Sequence, residues 1–296
     1  MTEDRAVAVV GAGMMGTGIA ETAARAGLTV ALYEPDPLPL ERSRERLAAS
    51  LARIVSRGRL TEDEAAATTK RVRWTTDLED LADATIVIEA VREDVDVKRD
   101  VFSRLDRIVG PDALLLSNTS SIPIAELAAA TGRADRVAGL HFFSPVPVMS
   151  LVEIVVALET GNETVARLEA FAAALGKHAV RTKDRSGFIV NFLLVPYLMA
   201  AVRMVEEGFA TREDIDEGMK QGCGHPMGPL TLADMIGLDV LYAIGVSLQS
   251  EFQKPEYAPP PLLKRMVAAG RLGRKSGHGF YEYAPAPAAA PTAVAA

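Results

Sequence analysis

His141 closes an apolar run, Arg136–His141, and leads into Phe142-Phe143-Ser144-Pro145. Glu153 lies in the next strand-like run, Leu151–Ala157, beyond a loop stiffened by Pro145 and Pro147. Ser120 and Ser121 follow a third apolar run, Leu114–Ser117, in the segment Ser117-Asn118-Thr119-Ser120-Ser121. Asn191 falls one turn into a long apolar helical segment. A histidine whose unperturbed pKa is about 6.5 can take a hydroxyl proton near neutral pH. A carboxylate on its far nitrogen would fix the tautomer and stabilise the imidazolium that forms. Hydroxyl and amide groups can orient a substrate oxygen and support developing charge. Together these are the parts of an alcohol dehydrogenation, in which hydride leaves the carbon for a cofactor. Taken singly, each also has a structural reading: a satisfied strand-end histidine, a solvent-facing Glu153, an inter-domain hydrogen bond for Asn191, and a turn and helix cap for Ser120 and Ser121.

Positioning such groups requires a sheet whose strands end together. Strand candidates are Ala6–Val10, Thr29–Glu34, Thr85–Ala90, Leu114–Ser117, Arg136–His141, Leu151–Ala157 and Ala179–Thr182. Several are continuous apolar runs, the pattern of strands buried on both faces. Helical segments between them give βαβ units and a mostly parallel sheet. Beyond about Gly187 the pattern turns helical: Phe188–Glu207, Arg212–Gln221, Leu230–Ile236, Val240–Phe252 and Pro261–Ala269, with Thr211 as an N-cap and Gly270 as a C-cap. A last β-like run covers Gly279–Tyr283. The expected organisation is an α/β domain over 1–186, an all-helical domain over 187–284, and a disordered Ala/Pro-rich tail over 285–296.

Gly11-Ala12-Gly13-Met14-Met15-Gly16 follows the first strand at once and opens a helix. Gly11 permits the tight turn, Gly13 lets a pyrophosphate approach the backbone, and Gly16 lets helix and strand pack closely. The helix N-terminus, at Met14 and Met15, then faces the phosphates. The second strand ends in Tyr33-Glu34. A carboxylate there can accept from both ribose hydroxyls and repels a 2′-phosphate, so the expected cofactor is NAD in a Rossmann-type doubly wound fold. A flavin would keep the same fingerprint.

Composition narrows the partners. A net charge of -7 argues against nucleic acid or an anionic membrane as the main partner. The longest apolar stretch, Phe188–Val202, is interrupted by Asn191 and Pro196 and is short for a membrane span. The single cysteine, Cys223, cannot form an internal disulfide, and the N-terminus lacks signal-peptide character, so the expected compartment is the cytoplasm. Cys223 and His225 read as structural residues, and no metal is expected.

The ordered series Ser-Asn-Thr-Ser-Ser, His141-Phe-Phe-Ser-Pro-Val-Pro-Val-Met149, Leu-Val-Glu153-Ile, Gly187-Phe-Ile-Val-Asn191, His225-Pro-Met-Gly-Pro-Leu230 and Gly277-His-Gly-Phe-Tyr281 resembles the 3-hydroxyacyl-CoA dehydrogenase family. Within it, the likeness is greatest to the short bacterial 3-hydroxybutyryl-CoA dehydrogenases. It runs from about Val7 to Tyr283. The resemblance implies NAD-dependent oxidation of an L-3-hydroxyacyl-CoA, with His141 as catalytic base, Glu153 as its partner, and Ser120 and Asn191 on the substrate. It places cofactor contacts on Gly11, Gly13, Met14, Met15, Gly16, Glu34, Glu93, Lys98 and Asn118. Two departures are Ser144 where asparagine is usual and Glu34 where many members carry aspartate.

Coenzyme A carries a pyrophosphate and a 3′-phosphate, so an acidic chain needs a local positive face. Over Leu38–Arg59, at about 100° per residue, Arg42, Arg46, Arg53 and Arg57 fall within an arc of about 60°. Leu47, Leu51, Ile54 and Val55 take the other side. The resemblance places this segment near the adenosine end of CoA, with Arg53 and Arg57 as contacts; a solvated arginine face is the other reading. The resemblance also implies a homodimer through the helical domain, with Leu193, Leu194, Leu198, Met199 and Val202 at its apolar helix. Two readings of other kinds remain: a dehydrogenase of a free hydroxy or sugar acid, as in lambda-crystallin-like proteins, and a non-enzymatic NAD-binding protein.

Overall fold

The apolar runs pair into one sheet. The structure, a computed structural model, describes residues 6–283, so the tail over 285–296 lies outside the described residues. In the first of two compact units, ending at Phe188, the strands are β1 (Ala6–Val10), β2 (Thr29–Tyr33), β3 (Val72–Thr75), β4 (Ile86–Glu89), β5 (Leu114–Ser117), β6 (Val137–Phe142), β7 (Leu151–Val156) and β8 (His178–Lys183). Their order is β3-β2-β1-β4-β5-β6-β7-β8. Every neighbouring pair is parallel except β6–β7. The helices of this unit are α1 (Met14–Arg25), α2 (Pro37–Ser56), α3 (Glu62–Lys70), α4 (Val95–Ile108), α5 (Ile124–Ala128) and α6 (Asn162–Ala174). This is the Rossmann-type doubly wound arrangement.

Alternation along β1 shows why the run is apolar throughout. Val7 and Val9 enter one core with Ile19, Leu47 and Leu116, while Ala8 and Val10 enter another with Val87, Phe102 and Leu115. Successive side chains point to opposite faces, so a strand covered on both needs apolar residues at every position.

β3 has no counterpart among the expected strands. It is a sheet-edge strand of four residues with Arg73 exposed, so it lacks the continuous apolar run that marks the inner strands. A second difference matters more. β6 extends to Phe142, because Phe142 still pairs with Val152, and His141 therefore lies inside the strand and not at its end.

The second unit starts at Ile189 and is helical: α7 (Val190–Glu206), α8 (Arg212–Cys223), α9 (Pro229–Ile236), α10 (Leu238–Phe252) and α11 (Pro261–Ala268). It has its own core, with Val195, Leu198, Leu230, Leu241, Leu248 and Leu263 among the buried residues. Thr211 caps α8 as expected, accepting from the Asp214 N–H. The β-like run Gly279–Tyr283 forms no strand; only isolated bridges join His278 to Gly273 and Glu282. The reason is that Asp234, a buried residue of α9, accepts from the N–H groups of Phe280 and Tyr281, both at 2.9 Å. Their donors go to a carboxylate instead of a ladder. No single helix among the described residues is long and apolar enough to cross a membrane.

Candidate active site

The antiparallel turn-back of β7 places His141 directly opposite Glu153. Directly opposed residues on one face have Cβ atoms about 4.5–5.5 Å apart, close enough for an imidazole and a carboxylate to meet. They do: His141 Nδ1 lies 2.7 Å from Glu153 Oε2. Glu153 is fully buried and His141 nearly so, which removes the solvent-facing reading of Glu153. Phe143 packs edge-on to the imidazole at 4.6 Å and Phe188 tilts against it at 5.4 Å, so the ring is held by contacts as well as by its partner. With Nδ1 engaged by Glu153, Nε2 is the nitrogen left for chemistry.

Past the end of β5, the chain curls around Glu93. This carboxylate accepts from the Thr119 hydroxyl, from the Ser121 hydroxyl at 2.9 Å and from the Ser120 N–H at 3.1 Å. Ser120 thus gives Glu93 only its backbone, and among the described residues no partner is seen for its hydroxyl. That difference separates Ser120 from Ser121. Burial pushes the Glu93 carboxyl up, but the nearby Lys98 ammonium and the hydrogen bonds from Thr119, Ser121 and Ser120 outweigh it and hold the carboxyl below the ordinary range.

Lys98 is buried, with its ammonium 2.6 Å from Glu89 and 3.3 Å from Glu93. Glu89 also accepts from the Ser117 hydroxyl at 2.6 Å and the Val91 N–H at 2.7 Å. Lys98 therefore reaches the site through Glu93. Glu89 escaped the sequence reading; its one signal is a carboxylate ending the apolar run Ile86–Glu89. Asn118 lies beside the loop, its Oδ1 accepting the Phe142 N–H at 2.9 Å.

The glycine-rich turn has the features a dinucleotide needs. Gly11 adopts φ +107°, and a Cβ on Gly16 would lie 1.9 Å from the Gly11 carbonyl oxygen. Neither position admits another residue without a shift. A Cβ on Gly13, by contrast, would meet nothing within 4 Å, so the turn keeps an open side there. The α1 N-terminus carries no side-chain cap and no acidic residue in its first turn, and Met14 is 71% exposed. Uncapped amides at an open glycine turn fit a pyrophosphate. Glu34 stands beside them, with Oε2 accepting the Ala12 N–H at 3.0 Å.

The arginine face of α2 is only partly as expected. Arg42, Arg53 and Arg57 are exposed, with Arg57 just past the helix end. Arg46 turns inward and donates to the Ala12 carbonyl and, at 3.4 Å, to the Thr17 hydroxyl. It braces the glycine turn and leaves the phosphate-facing set. In the second unit, Asn191 is the second residue of α7. His225 Nδ1 lies 3.3 Å from the Tyr197 hydroxyl, and Cys223 is exposed.

Residues 6–185 match the family model for the 3-hydroxyacyl-CoA dehydrogenase NAD binding domain, and residues 187–283 match the model for the C-terminal domain of the same enzymes. The chain belongs to the 3-hydroxyacyl-CoA dehydrogenase family. A 3-hydroxybutyryl-CoA dehydrogenase of Mycobacterium tuberculosis is 56% identical over 94% of this chain and 98% of its own length. The crystal structure of FadB2 from M. tuberculosis superposes with a TM-score of 0.94 at 55% identity, covering 96% of this chain and all of that one. The (S)-3-hydroxybutyryl-CoA dehydrogenase PaaH1 of Ralstonia eutropha gives a TM-score of 0.90 at 46% identity, over 95% of this chain and all of that one. This 3-hydroxyacyl-CoA dehydrogenase family member is an NAD-dependent oxidoreductase, and the uncapped α1 N-terminus, Gly13 and Glu34 are the residues that fit the cofactor.

Proposed function

We propose that this dehydrogenase oxidises the 3-hydroxyl of a short L-3-hydroxyacyl-CoA, 3-hydroxybutyryl-CoA being the leading substrate, and that His141 is its general base. The observation that carries the reading is the buried 2.7 Å contact between His141 Nδ1 and Glu153. It engages Nδ1, leaves Nε2 for a substrate proton, and puts a carboxylate beside a ring that would become imidazolium, which supports the base assignment.

NAD, when bound, supplies the acceptor for the hydride from C3. His141 Nε2 accepts the hydroxyl proton, and Glu153 stabilises the resulting cation. Ser120, with its hydroxyl uncommitted to Glu93, orients the substrate oxygen, and the family resemblance assigns Asn191 to substrate binding as well. In the reverse direction protonated His141 donates to the new alkoxide. Gly11, Gly13, Met14, Met15, Gly16, Glu34 and Glu93 form the cofactor side, with Lys98 acting through Glu93.

The test is NADH oxidation with 3-ketoacyl-CoA esters from acetoacetyl to long-chain and dicarboxylic forms, run beside free keto acids and NADPH. Fastest turnover of acetoacetyl-CoA with NADH is expected. A preference for a free acid would overturn the substrate assignment.

The enzyme is further assigned to the cytoplasm and to a homodimer formed by the second unit. Leu198, Met199 and Val202 of α7 are buried within that unit, so they do not serve the dimer. Leu193 is 65% and Phe209 76% exposed, and such residues are the apolar surface available to a second copy. Light scattering should give twice the chain mass; a monomer at micromolar concentration would refute the assignment.

A further inference from the structure

The parallel ladder between β5 and β6 has its last registered pair at Ser117↔Gly139. Beyond it the β5 backbone is committed elsewhere. The Asn118 N–H donates to the Glu89 carbonyl at 2.9 Å, the Thr119 N–H to the Ser117 hydroxyl at 3.1 Å and the Ser120 N–H to Glu93 at 3.1 Å. β6 continues to Phe142, and its edge facing β5 would be left without a partner just where His141 sits. The Asn118 side chain fills that gap: Oδ1 accepts the Phe142 N–H at 2.9 Å. A carboxamide thus stands in for the backbone carbonyl that a longer β5 would have offered.

We propose that Asn118 is a positioning residue that sets the spacing between Ser120 and His141. It is two residues from Ser120 along the chain, and it holds the residue that follows His141. On the other side, β7 holds His141 through the Gly139↔Val155 to Phe142↔Val152 pairing. The backbone around His141 is therefore held from both neighbouring strands, by paired backbone on the β7 side and by a side chain on the β5 side. This role differs from the cofactor contact expected of Asn118, because it uses Oδ1 on the protein backbone. The two roles ask for different atoms: the clamp needs an acceptor, whereas a contact made by the amide nitrogen needs a donor. The proposal rests on His141 being the base.

Asn118→Asp keeps the acceptor and removes the donor; Asn118→Leu removes both. Misplacing a reacting group by about 1 Å can cost about a hundredfold in rate, so Asn118→Leu is expected to lower kcat by about tenfold or more while KM for NADH moves less than about twofold. Asn118→Asp brings a second carboxylate close to Glu93, so its turnover is expected to fall too, and its readout is the Phe142 amide that the retained acceptor still holds. Hydrogen exchange at the Phe142 amide supplies the direct readout: protected in the parent and in Asn118→Asp, unprotected in Asn118→Leu. If Asn118→Leu does not fold, Asn118→Asp carries the test alone. An unprotected Phe142 amide in a folded Asn118→Asp overturns the proposal, as does an Asn118→Leu enzyme that raises KM for NADH with kcat unchanged, the pattern of a cofactor contact. Parent-like kcat in a folded Asn118→Leu also overturns it. A fully active His141→Ala would remove the base assignment and the proposal with it, whereas failure of Asn118→Asp leaves His141 untouched.

Discussion

Glu153 is the residue on which the proposed role of His141 turns. From the sequence, a histidine in an apolar run fits a structural role as well as a catalytic one, and Glu153 between Val152 and Ile154 reads equally as a solvent-facing residue. Burial of both at 2.7 Å excludes the solvent-facing reading of Glu153 and gives His141 the partner that the proposed base needs. A fully buried carboxylate needs a partner, and the imidazole is one. Removing the carboxylate while keeping shape isolates its contribution. Glu153→Gln should lower kcat by about a hundredfold or more, through loss of tautomer control and of imidazolium stabilisation. His141→Ala should cost about 10²- to 10⁴-fold. Both should leave NADH binding, followed by fluorescence titration, near the parent value. A His141→Ala enzyme with parent-like turnover would end the base assignment. At this scale residue types alone do not separate Ser120 from Ser121, and the resemblance points to Ser120. What separates them in the structure is Glu93, far from both in sequence, which takes the Ser121 hydroxyl but only the Ser120 N–H.

The hairpin that makes the pair was partly legible. Both strands stand out as apolar runs, and residues 143–150 between them are fewer than the dozen or more that a parallel crossover needs. So short a connection fits the antiparallel pairing that the structure shows. What the runs could not supply was register, because an apolar strand buried on both faces has no alternation to fix it. The same blindness explains β3, whose half-exposed edge position breaks the apolar signal, and the 279–283 segment, whose donors are taken by Asp234. Asp234 also accepts from the Tyr283 hydroxyl at 3.0 Å, and burial followed by this carboxylate raises the Tyr283 phenol above its ordinary range. Replacing Asp234 by Ala orphans two backbone N–H groups, each costing about 1–3 kcal/mol if left unpaired. The second unit should lose several degrees of thermal stability in calorimetry of the full chain. An unchanged transition would show that these donors find other partners.

For the molecule as a whole, the problem is charge. A chain carrying -7 must take a ligand that is itself a polyanion, so attraction has to be local. Arg42, Arg53 and Arg57 supply exposed positive charge on α2, while Arg46 is spent on the glycine turn. Arg53→Ala with Arg57→Ala should raise KM for acetoacetyl-CoA several-fold with kcat little changed, and the parent's KM should rise with salt as screening sets in. An unchanged KM would leave these arginines as ordinary solvated side chains.

The lone antiparallel pairing in the sheet also bears on how the enzyme comes to be. Each parallel pairing waits for a crossover to close, at an entropic cost that grows with the length enclosed. The β6–β7 hairpin closes over residues 143–150, so the contact between His141 and Glu153 has a low sequence separation for this sheet and can form early as the chain folds. The His141–Glu153 pair is in this sense a local unit, with both partners inside Val137–Val156. Insertions in crossovers elsewhere leave this contact local, while the bond from the Phe142 N–H to Asn118 ties its placement to the end of β5.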